Sequence, residues 1–161
     1  MPYIVDGNNV MGQTPGWHRD RSKARRTLLE QLAGLGRSKR VRITVVFDGE
    51  PDRDFPEASA HQGVRILYAA RGSDADARIE RLVSASTDPR GLTVVTSDRR
   101  LALAVRSHGA SVLRSGEFRK RLEDAQAAGA HGNEETQRDS GDIEEWLRYF
   151  GAGSVDGVQQ E

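Results

Sequence analysis

Aspartates follow three of the apolar segments in this sequence, and a pair of aspartates follows a fourth. Asp6, Asp48 and Asp98 come after the first, second and fourth of these segments, and Asp74 and Asp76 come after the third. Carboxylate oxygens, without histidine or cysteine, select a hard ion such as Mg²⁺ or Mn²⁺. Such an ion activates water and neutralises a phosphodiester during in-line attack. The acidic segments therefore indicate a hydrolytic nuclease site.

Each aspartate taken singly also fits a structural role. Asp98 can cap a helix, Asp48 begins a common turn dipeptide, and Asp76 fits a capping box. Taken together, two carboxylates about 4 Å apart repel by roughly 4 kcal/mol at an effective dielectric near 20. A group of them must take up protons or bind a cation. Because no basic residue accompanies Asp6 in the sequence, we interpret the set as a metal site.

The elements that must position these aspartates alternate between strand and helix patterns. Apolar runs predict strands at 3–5, 41–47, 64–68, 92–96 and 111–113. Helical spacing predicts helices at 21–34 (capped by Asp20), 74–86, 99–107 and 116–127, and residues 49–62 read as a polar loop. This alternation favours an α/β fold with a mostly parallel sheet. The carboxyl ends of parallel strands share one edge, where ligand sites form.

The domain organisation follows from the same patterns. Residues 1–127 are predicted to form one globular domain, and residues 128–141 a polar linker. The apolar spacing of residues 142–150 predicts an amphipathic helix. Its apolar stripe is expected to pack either on its own domain or on a partner. Residues 151–161 are expected to be disordered.

Composition narrows the function classes. There is no cysteine, which excludes disulfides and thiolate sites. No apolar run reaches the ~20 residues of a membrane span and no secretory signal is visible, so we expect a cytoplasmic protein that does not enter a membrane. Residues 1–116 carry 19 Lys and Arg against 13 Asp and Glu, and residues 117–161 carry 5 against 11. A basic domain with an acidic tail suits a polyanionic ligand, although such charges also occur simply as solvated surface.

The motifs resemble those of the NYN-domain branch of PIN-like ribonucleases, and within it the bacterial YacP-like proteins. The residues that carry the resemblance are Ile4-Val5-Asp6-Gly7-Asn8-Asn9-Val10, Val45-Val46-Phe47-Asp48-Gly49, Asp74-Ala75-Asp76-Ala77-Arg78-Ile79-Glu80 and Val95-Thr96-Ser97-Asp98. They stand in the expected order over residues 3–127. The resemblance implies a PIN-like three-layer α/β/α sandwich and Mg²⁺- or Mn²⁺-dependent cleavage of RNA.

The resemblance also assigns roles to residues. Asp6, Asp76 and Asp98 match the metal-binding aspartates of the family, and Asp48 matches an auxiliary position. Asp74 departs from the small or hydroxyl residue expected there, so either Asp74 or Asp76 is the ligand. Asn8 is similar to the family's polar residue beside the first aspartate, which orients that aspartate or water.

RNA is the expected partner, either free or presented by the ribosome. Trp17 is a candidate for stacking on a base, with packing in the protein as the alternative. The candidates for phosphate contacts are Arg19, Arg21, Lys23, Arg25, Arg26, Lys39, Arg40 and Arg99. A non-catalytic RNA- or ribosome-binding module is the alternative to an endoribonuclease. A phosphatase of the haloacid-dehalogenase type would need Asp-x-Asp after the first strand, whereas Asp6 is followed by Gly7-Asn8.

Overall fold

One mixed sheet organises the protein, and its strands are close to those predicted. The computed structural model describes residues 2–69 and 74–135. The sheet has six strands in the order β3-β4-β2-β1-β5-β6. The strands are β1 (Tyr3–Asp6), β2 (Ile43–Phe47), β3 (Ser59–His61), β4 (Val64–Tyr68), β5 (Thr93–Val95) and β6 (Ser111–Leu113). The helices are α1 (Gly7–Met11), α2 (Arg21–Lys39), α3 (Ala75–Ser84), α4 (Arg99–Ser107) and α5 (Ser115–Glu135).

The central strands are parallel and apolar on both faces, as expected for a sheet covered by helices. Val5 of β1 pairs with Val45 on one side and Val95 on the other, and all three are fully buried. Residues of α3 and α4, among them Ile79 and Val105, pack in one core cluster with alternate strand residues. On the opposite face, Phe118 at the start of α5 lies 5.8 Å from the ring of Tyr3. The predicted three-layer α/β/α fold class is confirmed.

The predicted polar loop at 49–62 was wrong at its end, because β3 lies within it. This strand runs antiparallel to β4 at the edge of the sheet, with Ala60 opposite Arg65. The turn between the two strands uses left-handed conformations at Gln62 and Gly63 (φ 50° and 90°). A three-residue strand with the sequence Ser-Ala-His has no apolar alternation to reveal it.

The helix boundaries differ from the prediction in three places. α1 was not predicted, because Gly7-Asn8-Asn9 is poor in helix-forming residues. α2 continues five residues beyond position 34, ending at Lys39 before the left-handed Arg40 (φ 54°). α5 continues to Glu135 and therefore includes residues 128–135 of the segment predicted as a linker. The remaining linker, the helix at 142–150 and the tail at 151–161 lie outside the described residues.

The chain divides into two units, and the site discussed below belongs entirely to the first, Met1–Leu122. The second unit begins at Glu123, and of it the structure describes the part of α5 that ends at Glu135. Within the described segments, no helix is both long enough and apolar enough to cross a membrane.

Candidate active site

Asp6 is a buried carboxylate at the end of the central strand. The residue is 4% exposed, and one of its carboxylate oxygens accepts a hydrogen bond of 3.1 Å from the Thr96 hydroxyl. Burial raises the pKa of Asp6 to about 6. The hydrogen bonds from Thr96 and from the Asn9 backbone N–H lower this pKa, and the charges of Asp48 and Asp98 raise it. A carboxylate in this position is costly in the ionised form and gains from a nearby cation.

Asp76 and Asp98 meet near Asp6. Asp76 lies in the first turn of α3, and its side chain is hydrogen-bonded to that of Asp98. Burial raises the pKa of Asp76 to about 7, with further contributions from the charges of Asp6 and Asp98. The pKa of Asp98 is lowered, first because the Leu101 backbone N–H donates to it. Asp76 therefore holds a proton more readily than Asp98 does.

The structure separates the roles of Asp74 and Asp76, which the sequence left open. Asp74 is exposed and caps α3, its Oδ1 accepting a hydrogen bond of 2.8 Å from the Ala77 backbone N–H. Asp76 is the member of the pair that contacts Asp98. Asp98 combines both roles, because it also caps α4 through the backbone N–H groups of Arg100 and Leu101.

The three carboxylates fit a hydrated hard cation better than a fully protein-ligated one. Within residues 2–69 and 74–135, no three acidic, histidine or cysteine side chains are already arranged around one point as metal ligands. Mg²⁺ usually keeps several waters and takes only one or two carboxylates, with substrate phosphate oxygens completing its shell. The Asp76–Asp98 pair supplies such a donor set, with the carboxylate of Asp6 nearby as a further oxygen ligand or an acceptor for bound water.

Asn9 organises the loop that carries Asp98, a role that sequence analysis missed. Its Oδ1 accepts hydrogen bonds from the Ser97 backbone N–H (2.8 Å) and from the buried Ser115 hydroxyl (2.5 Å). The Ser97 hydroxyl in turn accepts one from the Ser115 backbone N–H. Polar residues directly after two neighbouring strands were the available signal for this network.

Asn8 and Asp48 support the neighbouring strand. The Asn8 side-chain oxygen accepts a hydrogen bond of 2.9 Å from the Asp48 backbone N–H, so it holds the end of β2. The Asp48 carboxylate accepts one of 2.8 Å from the Ala75 backbone N–H, so it holds the start of α3. Both contacts fix the positions of Asp6 and Asp76, and Asp48 also acts on Asp6 through its charge.

Arg25, predicted as a phosphate contact, has a structural role instead. It is 8% exposed and donates hydrogen bonds to the backbone carbonyls of Asp48 (2.7 Å) and Glu50 (3.1 Å). Its guanidinium lies 3.6 Å from the Asp52 carboxylate and over the ring of Phe47. The helical pattern placed the residue on α2, but it did not reveal that Arg25 faces the sheet.

Two more predicted basic residues lie away from the aspartates. Lys39 and Arg40 end α2, a helix of 19 residues that leads from the carboxyl edge of the sheet back towards the amino end of β2. At 1.5 Å per residue this helix is about 28 Å long, which separates its two ends by most of a small domain. The structure therefore does not bring Lys39 or Arg40 to the aspartates.

The basic residues at the start of α2 surround a pocket of about 410 Å³. Trp17 lines it together with Arg19 and Lys23, and the Arg21 guanidinium lies 5.7 Å from the centre of the Trp17 ring. Arg26 is exposed and pairs with Asp54 at 2.9 Å. Arg99, the remaining candidate, begins α4 beside Asp98 and lines a second pocket.

Comparison with known proteins identifies the family and the fold. The family model of the YacP-like NYN domain matches residues 3–148. A crystal structure of a tryptophan-to-leucine mutant of Rae1 (YacP) from Bacillus subtilis has a TM-score of 0.70 and 22% identity, over 98% of this chain and 99% of that one. A second Rae1 (YacP) crystal structure from Bacillus subtilis has a TM-score of 0.68 and 23% identity, over 97% of each chain. No curated protein matches the chain. At these identities the structures show a shared fold, and the family match shows that the chain belongs to the YacP-like NYN domain family of nuclease-like, RNA-related domains.

Proposed function

We propose that this protein is a metal-dependent endoribonuclease whose Asp6, Asp76 and Asp98 hold Mg²⁺ or Mn²⁺. The observation that carries the proposal is the convergence of three carboxylates at or beyond the ends of three parallel strands, one of them buried and two hydrogen-bonded to each other. The ion, when bound, lowers the pKa of water and neutralises charge on the scissile phosphodiester.

The side chains around the aspartates prepare this chemistry. Asp6 and Asp76 have raised pKa values, so cation binding displaces protons that they hold near neutral pH. Thr96 orients Asp6 through its hydroxyl, and its oxygen also accepts a hydrogen bond from the Asp98 backbone N–H. One threonine therefore links the carboxylate of Asp6 to the backbone of Asp98. Its hydroxyl stabilises the ionised form of Asp6, which is the form that binds a cation.

The pocket beside Trp17 is proposed to receive the RNA. Trp17 offers a ring for stacking on a base, and Arg19 and Lys23 are exposed beside it for phosphate contacts. Met11, the last residue of α1, also lines the pocket, and α1 begins directly after Asp6. The substrate in this proposal is single-stranded RNA, either free or presented by a ribosome.

RNA binding without cleavage is the second candidate function. It is favoured by the absence of a preformed three-ligand metal arrangement within the described part of the chain. In this case the protein would use the same pocket and basic residues to bind RNA, and the aspartates would have no role in hydrolysis.

The test uses a closed circular single-stranded RNA, which has no ends and is cut only by an endonuclease. The native protein and the variants Asp6→Asn, Asp76→Asn and Asp88→Asn are each incubated with this RNA and Mn²⁺ or Mg²⁺. Asp88→Asn is the control, because the exposed carboxylate of Asp88 lies before β5, at the opposite end of the strands from the aspartates. We expect linear product with the native protein and the control alone. A parallel reaction with RNA-loaded ribosomes tests whether the protein cleaves RNA that a ribosome presents. Cleavage that survives both cluster substitutions would contradict the proposed site, and RNA binding without cleavage in either format would favour the second candidate.

A further inference from the structure

A groove between α4 and β6 begins at the residues that hold the aspartates. Its volume is about 430 Å³, and Thr96 and Ser97 form one end of its lining. Thr96 donates the hydrogen bond to Asp6, and the Ser97 backbone N–H donates to Asn9. The groove therefore adjoins the candidate active site through two residues that hold that site together.

Three arginines from two elements line this groove: Arg99, Arg106 and Arg114. Arg99 and Arg106 are seven residues apart on α4, a spacing that places them on one face of a helix. Arg114 follows the last residue of β6. All three are exposed, and within the segments that the structure describes none has an acidic partner.

This absence of acidic partners distinguishes the three groove arginines from other arginines in the described segments. Arg25, Arg26 and Arg78 each pair with a carboxylate, at 3.6, 2.9 and 2.8 Å. An exposed arginine that is already paired loses that interaction when it binds an anion, whereas an unpaired one does not. Three unpaired guanidinium groups in one groove favour a polyanion over a neutral ligand.

The groove also carries an apolar contact. Leu103 lies between Arg99 and Arg106 on the same face of α4 and is 68% exposed, the largest exposure of any large hydrophobic residue in the described part of the chain. Alternating cationic and apolar side chains match a nucleic-acid strand, whose phosphates and bases alternate in the same way. They match a peptide or an inorganic anion less well.

We infer that this groove binds the sugar-phosphate backbone of single-stranded RNA as it leaves the aspartate cluster. The inference rests on the proposed function, since it extends the substrate path from that site. Arg99 and Arg106 are separated by about 10 Å along α4, at 1.5 Å per residue. That distance corresponds to roughly three stacked nucleotides, at about 3.4 Å each. The groove therefore contacts about three nucleotides next to the scissile bond.

The experiment measures binding of a labelled single-stranded RNA by fluorescence anisotropy in a chelator, so that cleavage does not contribute. It compares the full native chain with the triple variant Arg99→Gln, Arg106→Gln and Arg114→Gln at several salt concentrations. A matched triple variant, Arg42→Gln, Arg81→Gln and Arg90→Gln, removes the same charge from exposed arginines that do not line the groove. For single strands, each phosphate contact contributes about 0.7 to the slope of log affinity against log salt.

We expect the groove variant to bind at least tenfold more weakly at about 0.1 M salt and to lose about 2 from the slope, the amount for three phosphate contacts. The matched variant should keep the native slope. Leu103→Ser should weaken binding without changing the slope, because it removes no charge. Equal losses in the two triple variants, or no RNA binding by the native chain, would overturn the inference.

The same measurement separates this inference from the proposed function. Salt-dependent binding through the groove together with no cleavage under any metal would contradict the nuclease and support the groove. Cleavage by the native protein together with an unchanged slope in the groove variant would support the nuclease and overturn the groove. If neither a competing peptide nor a second copy of the chain displaces the bound RNA, that result further supports a nucleic-acid ligand.

Discussion

The aspartate cluster (Asp6, Asp76 and Asp98) and the Arg25 cluster (Arg25 and Asp52) lie on either side of Asp48. Opposite charges pair in the Arg25 cluster, whereas like charges lie together in the aspartate cluster. In the Arg25 cluster, a buried guanidinium is neutralised by Asp52 and hydrogen-bonded to two backbone carbonyls. In the aspartate cluster, burial and neighbouring carboxylates raise the pKa values of Asp6 and Asp76, whereas backbone hydrogen bonds and the charge of Arg100 lower that of Asp98. The first arrangement stabilises the fold. The second is destabilising in its ionised form, which is typical of a functional site.

Breaking the Arg25 cluster should have the largest effect. Arg25→Ala leaves Asp52 without its partner and two carbonyls without a donor, so we expect a loss of about 3 kcal/mol in the free energy of unfolding. Urea denaturation measures it. A loss below about 0.5 kcal/mol would place Arg25 among ordinary surface residues.

Replacing Asp6 with a neutral residue should raise the free energy of unfolding, whereas the Arg25 substitution lowers it. Because its pKa is raised to about 6 in the folded protein from 3.8, the folded state holds a proton that the unfolded state has lost between these values. The metal-free protein therefore loses stability as pH rises through this window, and Asp6→Asn removes that dependence. We expect the variant to be more stable than the native protein at pH 8 by about 2 kcal/mol, and the advantage to vanish near pH 4. Denaturation at both pH values checks it. A destabilised variant at pH 8 would contradict the account of this region.

Thr96→Val tests the link between Asp6 and Asp98. The substitution removes the hydroxyl that donates to Asp6 and accepts from the Asp98 backbone N–H, with little change of shape. We expect a loss of about 1 to 2 kcal/mol at neutral pH. The pKa of Asp6 should rise further, since that hydrogen bond lowers it. Carboxyl NMR titration measures the change, and Thr96→Ser, which keeps the hydroxyl, serves as the control.

Asp74→Ala should have the smallest effect and separates Asp74 from Asp76. Its loss removes the N-cap of α3, which typically costs about 1 kcal/mol, and leaves the carboxylate pair in place. RNA cleavage should therefore persist in Asp74→Ala and fall roughly 100-fold or more in Asp76→Asn, since a metal ion contributes several kcal/mol to such reactions. Equal losses of cleavage would show that Asp74 is also a ligand.

The sequence predicted the sheet and the convergence of the acidic segments because both follow from apolar runs and parallel topology. Asp6, Asp76 and Asp98 come together as expected. β3 and α1 were missed because neither has an apolar period. The choice between Asp74 and Asp76 depends on the first turn of α3, and the burial of Arg25 depends on which face of α2 meets the sheet. The roles of Asn9, Ser115 and Arg114 depend on contacts between distant segments, which periodicity does not encode.

The most direct test of the central claim is the thermal unfolding midpoint of the metal-free protein as Mg²⁺ or Mn²⁺ is added. A ligand that binds only the folded state raises stability by RT ln(1 + [L]/Kd), or about 2.7 kcal/mol at one hundred times Kd. We predict a rising midpoint for the native protein and for Asp88→Asn, and a flat one for Asp6→Asn and Asp76→Asn. The same rise in all four proteins, or no rise in any of them, would contradict the assignment of the aspartate cluster as a metal site.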